Sequence, residues 1–204
     1  MRNRANVMLC AGLAGAAVVA AIAMSGGRVQ ADDPNSAPNP YHVVDNWAKL
    51  PEGRRWGMAI GVDIDRDGTS VWVFDRCGGK TCAGSNIAPI QKFDASGRLV
   101  VSFGSGLFSW PHGLFAAPDG TLWVTDGQKQ VVMQLTSDGR VLRTLGKPGV
   151  TGDGPDTFNS PSDVVVAPNG DIFVADGHGD YPVQHTNDRM VKFSKDGKFI
   201  KAWG

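Results

Sequence analysis

The sequence predicts an all-β chain of the β-propeller class, with four-stranded blades, and three observations predict it. One pattern occurs three times, as DRDGTSVWVFD, APDGTLWVTD and APNGDIFVAD. Each copy is followed by a second turn-centred stretch: IQKFDASGRLVVSFG, VMQLTSDGRVLRTLG and MVKFSKDGKFIKAWG. Beyond the amino-terminal apolar run, no segment sustains the 3.6-residue spacing of an amphipathic helix. Two hairpins per copy make a unit of four short strands, recurring at roughly 40 to 50 residues. A lone sheet of that size leaves both faces wet, whereas sheets stacked around an axis bury them against one another.

Taken in order, residues 1–31 read as a secretory signal peptide. Arg2 and Arg4 precede an uncharged, alanine-rich run from Val7 to Met24, and Val29-Gln30-Ala31 supplies the small-residue spacing of a cleavage site rather than the flank of a retained anchor. Leu9 before Cys10 is too bulky for a lipoprotein cleavage site, so no lipid anchor is expected. Residues 32–40, rich in proline and asparagine, read as a disordered leader. Residues 41–204 are left for a partial propeller in the periplasm or outside the cell. Removing residues 1–31 leaves 17 basic against 20 acidic side chains, a net charge of −3, which argues against a nucleic-acid partner. No stable membrane insertion is expected after cleavage.

YHVVDNWAKLP, from Tyr41, is expected to act as an outer strand that completes the last blade and closes the ring. In the three repeats, Asp67-Gly68, Asp119-Gly120 and Asn169-Gly170 mark hairpin turns, because these pairs tolerate positive φ. The alternating apolar residues after them have the period of a half-buried strand. Asp75, Asp126 and Asp176 end those strands, and their recurrence, like that of Trp72, Trp123 and Phe173, marks them as scaffold. DIDRDGT places Asp63, Asp65 and Asp67 like the start of an EF-hand loop, but the twelfth position is Phe74 where an acid is required, so the run is a turn. Cys77 and Cys82 in RCGGKTC lie close enough, with glycines between, to predict a loop-closing disulfide in an oxidising compartment rather than a metal site.

Two repeats carry F-x-x-P before the inner strand, Phe108 to Pro111 and Phe158 to Pro161. The next residue is His112 in one and Ser162 in the other, so the scaffold does not require histidine there. Inner strands start near the axis, where side chains of several blades converge, and an imidazole at that place is either a ligand or the cap of a turn.

The F-x-x-P pairs and TGDGPDTF resemble NHL-repeat propellers from about Gly57 onward. More closely, LFSWPHGLFAAPDGTLWVTD, FNSPSDVVVAPNGDIFVADG and FSKDGKFIKAWG resemble the lyase domain of peptidylglycine α-amidating monooxygenase. That resemblance implies a six-bladed ring with zinc on the axis, held by histidines of alternate blades, and it places the first zinc ligand on His112. About three of the expected six blades are present, so the other ligands lie outside this sequence, and a shortened, inactive chain is the expectation. It also implies that Arg76 binds the substrate carboxylate. The family's catalytic tyrosine would fall within ADGHGDYPVQHTNDR, where His178 holds the direct position and Tyr181 stands three residues on; His185 reads as an exposed loop residue. A structural calcium is implied as well, bound in part by the main-chain carbonyls of Val62 and Leu114.

Two functions follow. In one, a zinc-dependent lyase cleaves the C–N bond of a peptidyl-α-hydroxyglycine-type small-molecule or peptide substrate, giving an amide and glyoxylate. In the other, a secreted NHL propeller without catalysis binds protein or glycan. An open blade edge offers, in either case, a surface for self-association.

Overall fold

A computed structural model of the protein describes residues 38–179 and 186–204. The expected signal peptide lies outside them, as do residues 32–37 of the leader, Tyr181 and His185. Two units are distinguished. Of the first, Met1–Val43, the described residues form no strand or helix. The second, Val44–Gly204, holds every strand described and no helix.

Its strands form three antiparallel sheets of four, each in sequence order. The first blade comprises β1 (Ala59–Ile64), β2 (Val71–Asp75), β3 (Ile90–Phe93) and β4 (Leu99–Phe103). The second comprises β5 (Pro111–Ala116), β6 (Leu122–Asp126), β7 (Val131–Leu135) and β8 (Val141–Leu145). The third comprises β9 (Pro161–Val166), β10 (Ile172–Asp176), β11 (Arg189–Phe193) and β12 (Phe199–Trp203). The inner strands β1, β5 and β9 stand side by side. This is a partial β-propeller, as the repeat predicts.

Alternation along the strands divides the side chains between two cores. Leu122, Val124, Met133 and Leu135 of the second blade join Trp72, Phe74 and Ile90 of the first. Trp123, Val132 and Leu145 point the other way and join Val164, Ile172, Val174 and Val191 of the third. Strand β6 is therefore buried on both faces rather than half-buried, because its blade is sandwiched. Phe108 and Phe158 fill one seam each; burying such a ring stabilises by roughly 1.5–3 kcal/mol.

The three hairpin turns form as expected, with positive φ on the glycine alone. Gly68, Gly120 and Gly170 take φ of +73°, +86° and +88°, but the Asp or Asn before each does not adopt positive φ. Gly68 N–H donates to the Asp65 carbonyl and Asp65 N–H to that of Ser70. The loop is thus a type I turn followed by a left-handed glycine, not a two-residue turn with both residues left-handed.

The last of the six expected blades, where the Tyr41 stretch would add an outer strand, lies outside the described residues; within the second unit the stretch from Trp47 forms no strand. It meets the first blade: Lys49 makes a parallel bridge with Arg98, Trp47 Nε1 donates to the Ala95 carbonyl at 3.3 Å, and the Trp47 ring lies 6.2 Å from that of Phe93. Trp56 meets the same ring at 5.7 Å. Phe93 needs this cover because among the described residues no other blade stands on that face of the first sheet.

Candidate functional site

The aspartates ending β2, β6 and β10 position the site. Each is fully or almost fully buried, and each carboxylate accepts hydrogen bonds from the lead-in to its own blade. Asp126 accepts from the N–H groups of Ser109 at 2.6 Å, Trp110 at 3.0 Å and, past the strand, Lys129 at 2.9 Å. Asp75 accepts from Gly57 N–H at 2.7 Å and Asp176 from Asn159 N–H at 2.7 Å. The first blade therefore has a lead-in too, Trp56-Gly57-Met58-Ala59, which sequence reading passes over because Trp and Ala replace Phe and Pro. Strand register then places Ile60, His112 and Ser162 at one and the same position of successive blades.

Arg76 follows Asp75, where the other blades have Gly127 and Gly177. Its side chain is only 6% exposed. Nε donates to the Pro111 carbonyl at 3.2 Å, Nη1 lies 3.9 Å from Met58 Sδ, and Cζ sits 4.0 Å from the centre of the Trp110 ring. Among the described residues no carboxylate pairs with it. Burial pulls its pKa down and the Asp126 charge pulls it up; a guanidinium stays charged under both.

His112, second residue of β5, is half-buried. Its Nδ1 lies 2.7 Å from the Ser162 carbonyl oxygen. A carbonyl only accepts, so the proton of the neutral ring belongs on Nδ1 and the lone pair on Nε2. Burial holds the His112 pKa below its ordinary value; the Ser162 carbonyl opposes this, the charges of His178 and Arg76 add to it, and Asp163 opposes it. His178 completes the cluster from the loop after β10, its ring 4.6 Å from that of His112 and 4.9 Å from that of Trp110. Trp110 and His112 are 5.2 Å apart.

Arg76, His112 and His178, three residues singled out from sequence, are thus brought together by three different blades. Val62 and Leu114 line an open cleft of about 330 Å³ beside His112, together with Ser162 and Asp163. Tyr181 lies outside the described residues. Sequence reasoning missed Trp110 and Asp163. Trp110 had a signal: the residue just before the inner strand is Met58 or Ser160 in the other repeats, and only here is it a large ring able to stack on a cation.

Cys77 and Cys82 form a disulfide, with Cα atoms 5.2 Å apart. The loop it closes is tied to the second blade, since Cys82 N–H donates to the Ser109 carbonyl at 2.8 Å and Thr81 Oγ1 donates to it at 2.7 Å. Arg76 precedes Cys77 at one end of the bridge and Trp110 follows Ser109, so the bridge links the chain at the cation to the chain at the ring.

The metal ions implied by the resemblance meet only part of what they need. His112 has the right form for a zinc ligand, with Nδ1–H on a carbonyl and Nε2 open. No three His, Cys, Asp or Glu side chains converge on one point among the described residues, so a zinc site is not completed by them. Two carbonyls likewise fall short of the six to eight oxygens calcium takes.

Residues 158–181, which include β9 and β10, match the NHL repeat family. No curated protein sequence matches the chain. Among solved structures it is similar to the hydrazine synthase of Kuenenia stuttgartiensis, at 12% identity over 76% of this chain and 39% of that one, with a TM-score of 0.48. It is also similar to a catalytically inactive virginiamycin B lyase from Staphylococcus aureus with quinupristin, at 18% identity over 74% and 42%, with a TM-score of 0.49. A streptogramin B lyase gives 22% identity over 70% and 39%, with a TM-score of 0.48. The chain spans less than half the length of each of these structures.

Proposed function

We propose that the cluster of Arg76, Trp110, His112 and His178 binds the carboxylate of an α-hydroxyglycine-type substrate and serves a carbon–nitrogen lyase reaction that yields an amide and glyoxylate. One observation carries this reading: a guanidinium only 6% exposed, without a carboxylate partner among the described residues, beside two imidazoles. Burying an unpaired cation is costly, and a bidentate carboxylate from a ligand would relieve the cost.

The chemistry asked of the chain is modest. With the substrate carboxylate on Arg76, the hydroxyl of the α-carbon falls toward the imidazoles. His178, or Tyr181 in its place, removes the hydroxyl proton as general base. The oxygen lone pair forms the aldehyde C=O of glyoxylate as the C–N bond breaks. The amide nitrogen leaves with the bonding pair and takes a proton, which the same group returns. Trp110 keeps water from one face of the guanidinium and so strengthens its hold on the carboxylate.

The proposal includes zinc on Nε2 of His112 and calcium on the carbonyls of Val62 and Leu114, with the remaining ligands from outside the described residues. No step above depends on either ion. When bound, zinc would act as a Lewis acid for the hydroxyl oxygen.

The test is glyoxylate release from N-benzoyl-α-hydroxyglycine, measured against the uncatalysed background, with and without added zinc. Against the inactivity that the resemblance implies for three blades, release is expected from this cluster, and it should fall about 100-fold or more in Arg76→Gln and His178→Gln. If the chain binds N-benzoylglycine through Arg76 yet releases no glyoxylate under either condition, the lyase reading falls and a non-catalytic binding module replaces it.

A further inference from the structure

The two seams between blades differ at the end of the sheets that carries the first turns. In the seam between the first and second blades, Arg66 of the β1–β2 turn crosses over. Its Nη1 donates to the Asp119 carbonyl at 3.2 Å, and its guanidinium lies so close on Gly120 that a Cβ there would meet Nη1 at 2.8 Å. That cation plugs the seam.

In the seam between the second and third blades, the same turn position is Pro118, which has no reach. A cleft of about 360 Å³ remains, lined by Pro118, Trp123, Val166, Pro168, Arg143 and Lys195 among others. Register makes Arg143 the counterpart of Val101 one blade earlier, and Lys195 stands where the preceding blade has Ser137. Relative to the first seam, the plug is lost and two cations appear on the walls.

Both cations line the cleft. Arg143 Nη1 donates to the Lys195 carbonyl at 2.6 Å, which fixes the guanidinium with Cζ 5.9 Å from the Trp123 ring centre. Neither Arg143 nor Lys195 makes an ion pair among the described residues. Asp119 is the one acid among the lining residues, and its Oδ1 is occupied by the N–H and hydroxyl of Thr121 at 2.9 and 2.7 Å. The remaining walls are largely prolines, alanines, valine and the tryptophan.

We infer that this cleft is a second binding site, for a small organic carboxylate carried on an apolar, flat body. The volume and the balance of apolar wall to few charged groups are those of small-molecule sites. A planar guanidinium beside an aromatic ring suits a carboxylate with a ring attached. The site is separate from the cluster at His112, since β5 runs the length of the sheet between them, about 17 Å at the usual rise per residue.

The experiment is calorimetric titration of the full chain with 2-naphthoate, against the neutral 2-naphthamide. Saturable binding of the acid is expected, with the amide weaker by about ten-fold, since the charge-assisted bonds are lost. Pro118→Arg restores the plug of the first seam and is expected to weaken binding about ten-fold or more, Arg143→Gln about five-fold or more. Arg76→Gln is expected to leave this Kd within about two-fold, as a distant site should. Absence of naphthoate binding, equal affinity for the amide, or an unchanged Kd in both Pro118→Arg and Arg143→Gln overturns the inference. A loss in Arg76→Gln alone moves the binding to the other cluster and overturns it as well. The result bears on this cleft whether or not the chain releases glyoxylate.

Discussion

His112 donates its Nδ1 proton across a blade boundary to the carbonyl oxygen of Ser162, 2.7 Å away, and Ser162 is the residue that holds the same position one blade later. The imidazole is therefore held by the scaffold of its neighbour, in one tautomer, with Nε2 free. Burial of the ring, which the bond to Ser162 opposes, ties its protonation to folding.

A pH dependence of stability follows from that tie. Burial lowers the folded-state pKa of His112 beneath the ordinary 6.5, with the charges of His178 and Arg76 adding to the effect. Below about 6.5 the unfolded chain takes up a proton that the folded one refuses, so stability falls as the pH drops from 6.5 to the folded-state pKa, and levels off beneath it. Urea unfolding of chelator-treated protein between pH 7.5 and 5 should show this decline. It should flatten in His112→Gln, and an unchanged slope in that variant would assign the decline to other groups.

Arg76 sets stability against binding. Its guanidinium is buried beside Trp110 and unpaired among the described residues, so an apolar chain of similar length should fit at less cost. Arg76→Met is expected to raise stability by about 1 kcal/mol or more while it abolishes binding of N-benzoylglycine. Thermal unfolding and an equilibrium titration on the same sample check both. A destabilised Arg76→Met would mean that the guanidinium is satisfied in a way that the bonds to Pro111 and Met58 do not explain.

The propeller was legible in the sequence because a repeat with period-two alternation leaves little choice of fold: Trp72, Trp123 and Phe173 recur at one strand position. The site was legible only in part. Arg76 and His112 stand out because they break the repeat, arginine against Gly127 and Gly177, histidine against Ser162. Trp110 breaks it too, but its partner, like that of the Ser162 carbonyl, lies in another blade far along the chain, and a local pattern holds no record of which ring meets which cation. The turn at Asp67 was legible as a hairpin, though not its type. Asp-Gly permits several loops, and the extra residue on either side of it decides among them. The packing of Trp47 and Trp56 on Phe93 was not legible either, since it joins residues distant in sequence outside the repeat.

The disulfide should support the cluster as well as the fold. Opening Cys77–Cys82 releases a short loop, worth about 2 kcal/mol by chain entropy, and frees the anchors at Ser109. Cys77→Ser with Cys82→Ser is expected to lower stability by that amount and to weaken N-benzoylglycine binding several-fold, because the guanidinium is no longer clamped against the Trp110 ring. A comparison of unfolding midpoints and dissociation constants with and without the bridge separates the two effects. Equal binding in both would confine the bridge to stability.

Asp126 should be the most sensitive position of the second blade. Its carboxylate is fully buried and accepts from the N–H groups of Ser109, Trp110, Gln128 and Lys129. These bonds join the start of β5 to the end of β6, and among the described residues no other side chain accepts from the same donors. Asp126→Ala leaves the part-buried donors of Ser109, Trp110 and Lys129 without that acceptor, at a cost of about 3 kcal/mol. Asp126→Asn keeps one oxygen and loses the charge that assists each bond, so a loss of about half that size is expected. Because Trp110 and His112 hang from the same lead-in, hydrogen exchange at the Ser109 and Trp110 amides should rise in both variants, and further in the alanine. If those amides stay protected in Asp126→Ala, the lead-in is held by its packing at Phe108 alone, and the carboxylate has no part in placing the histidine.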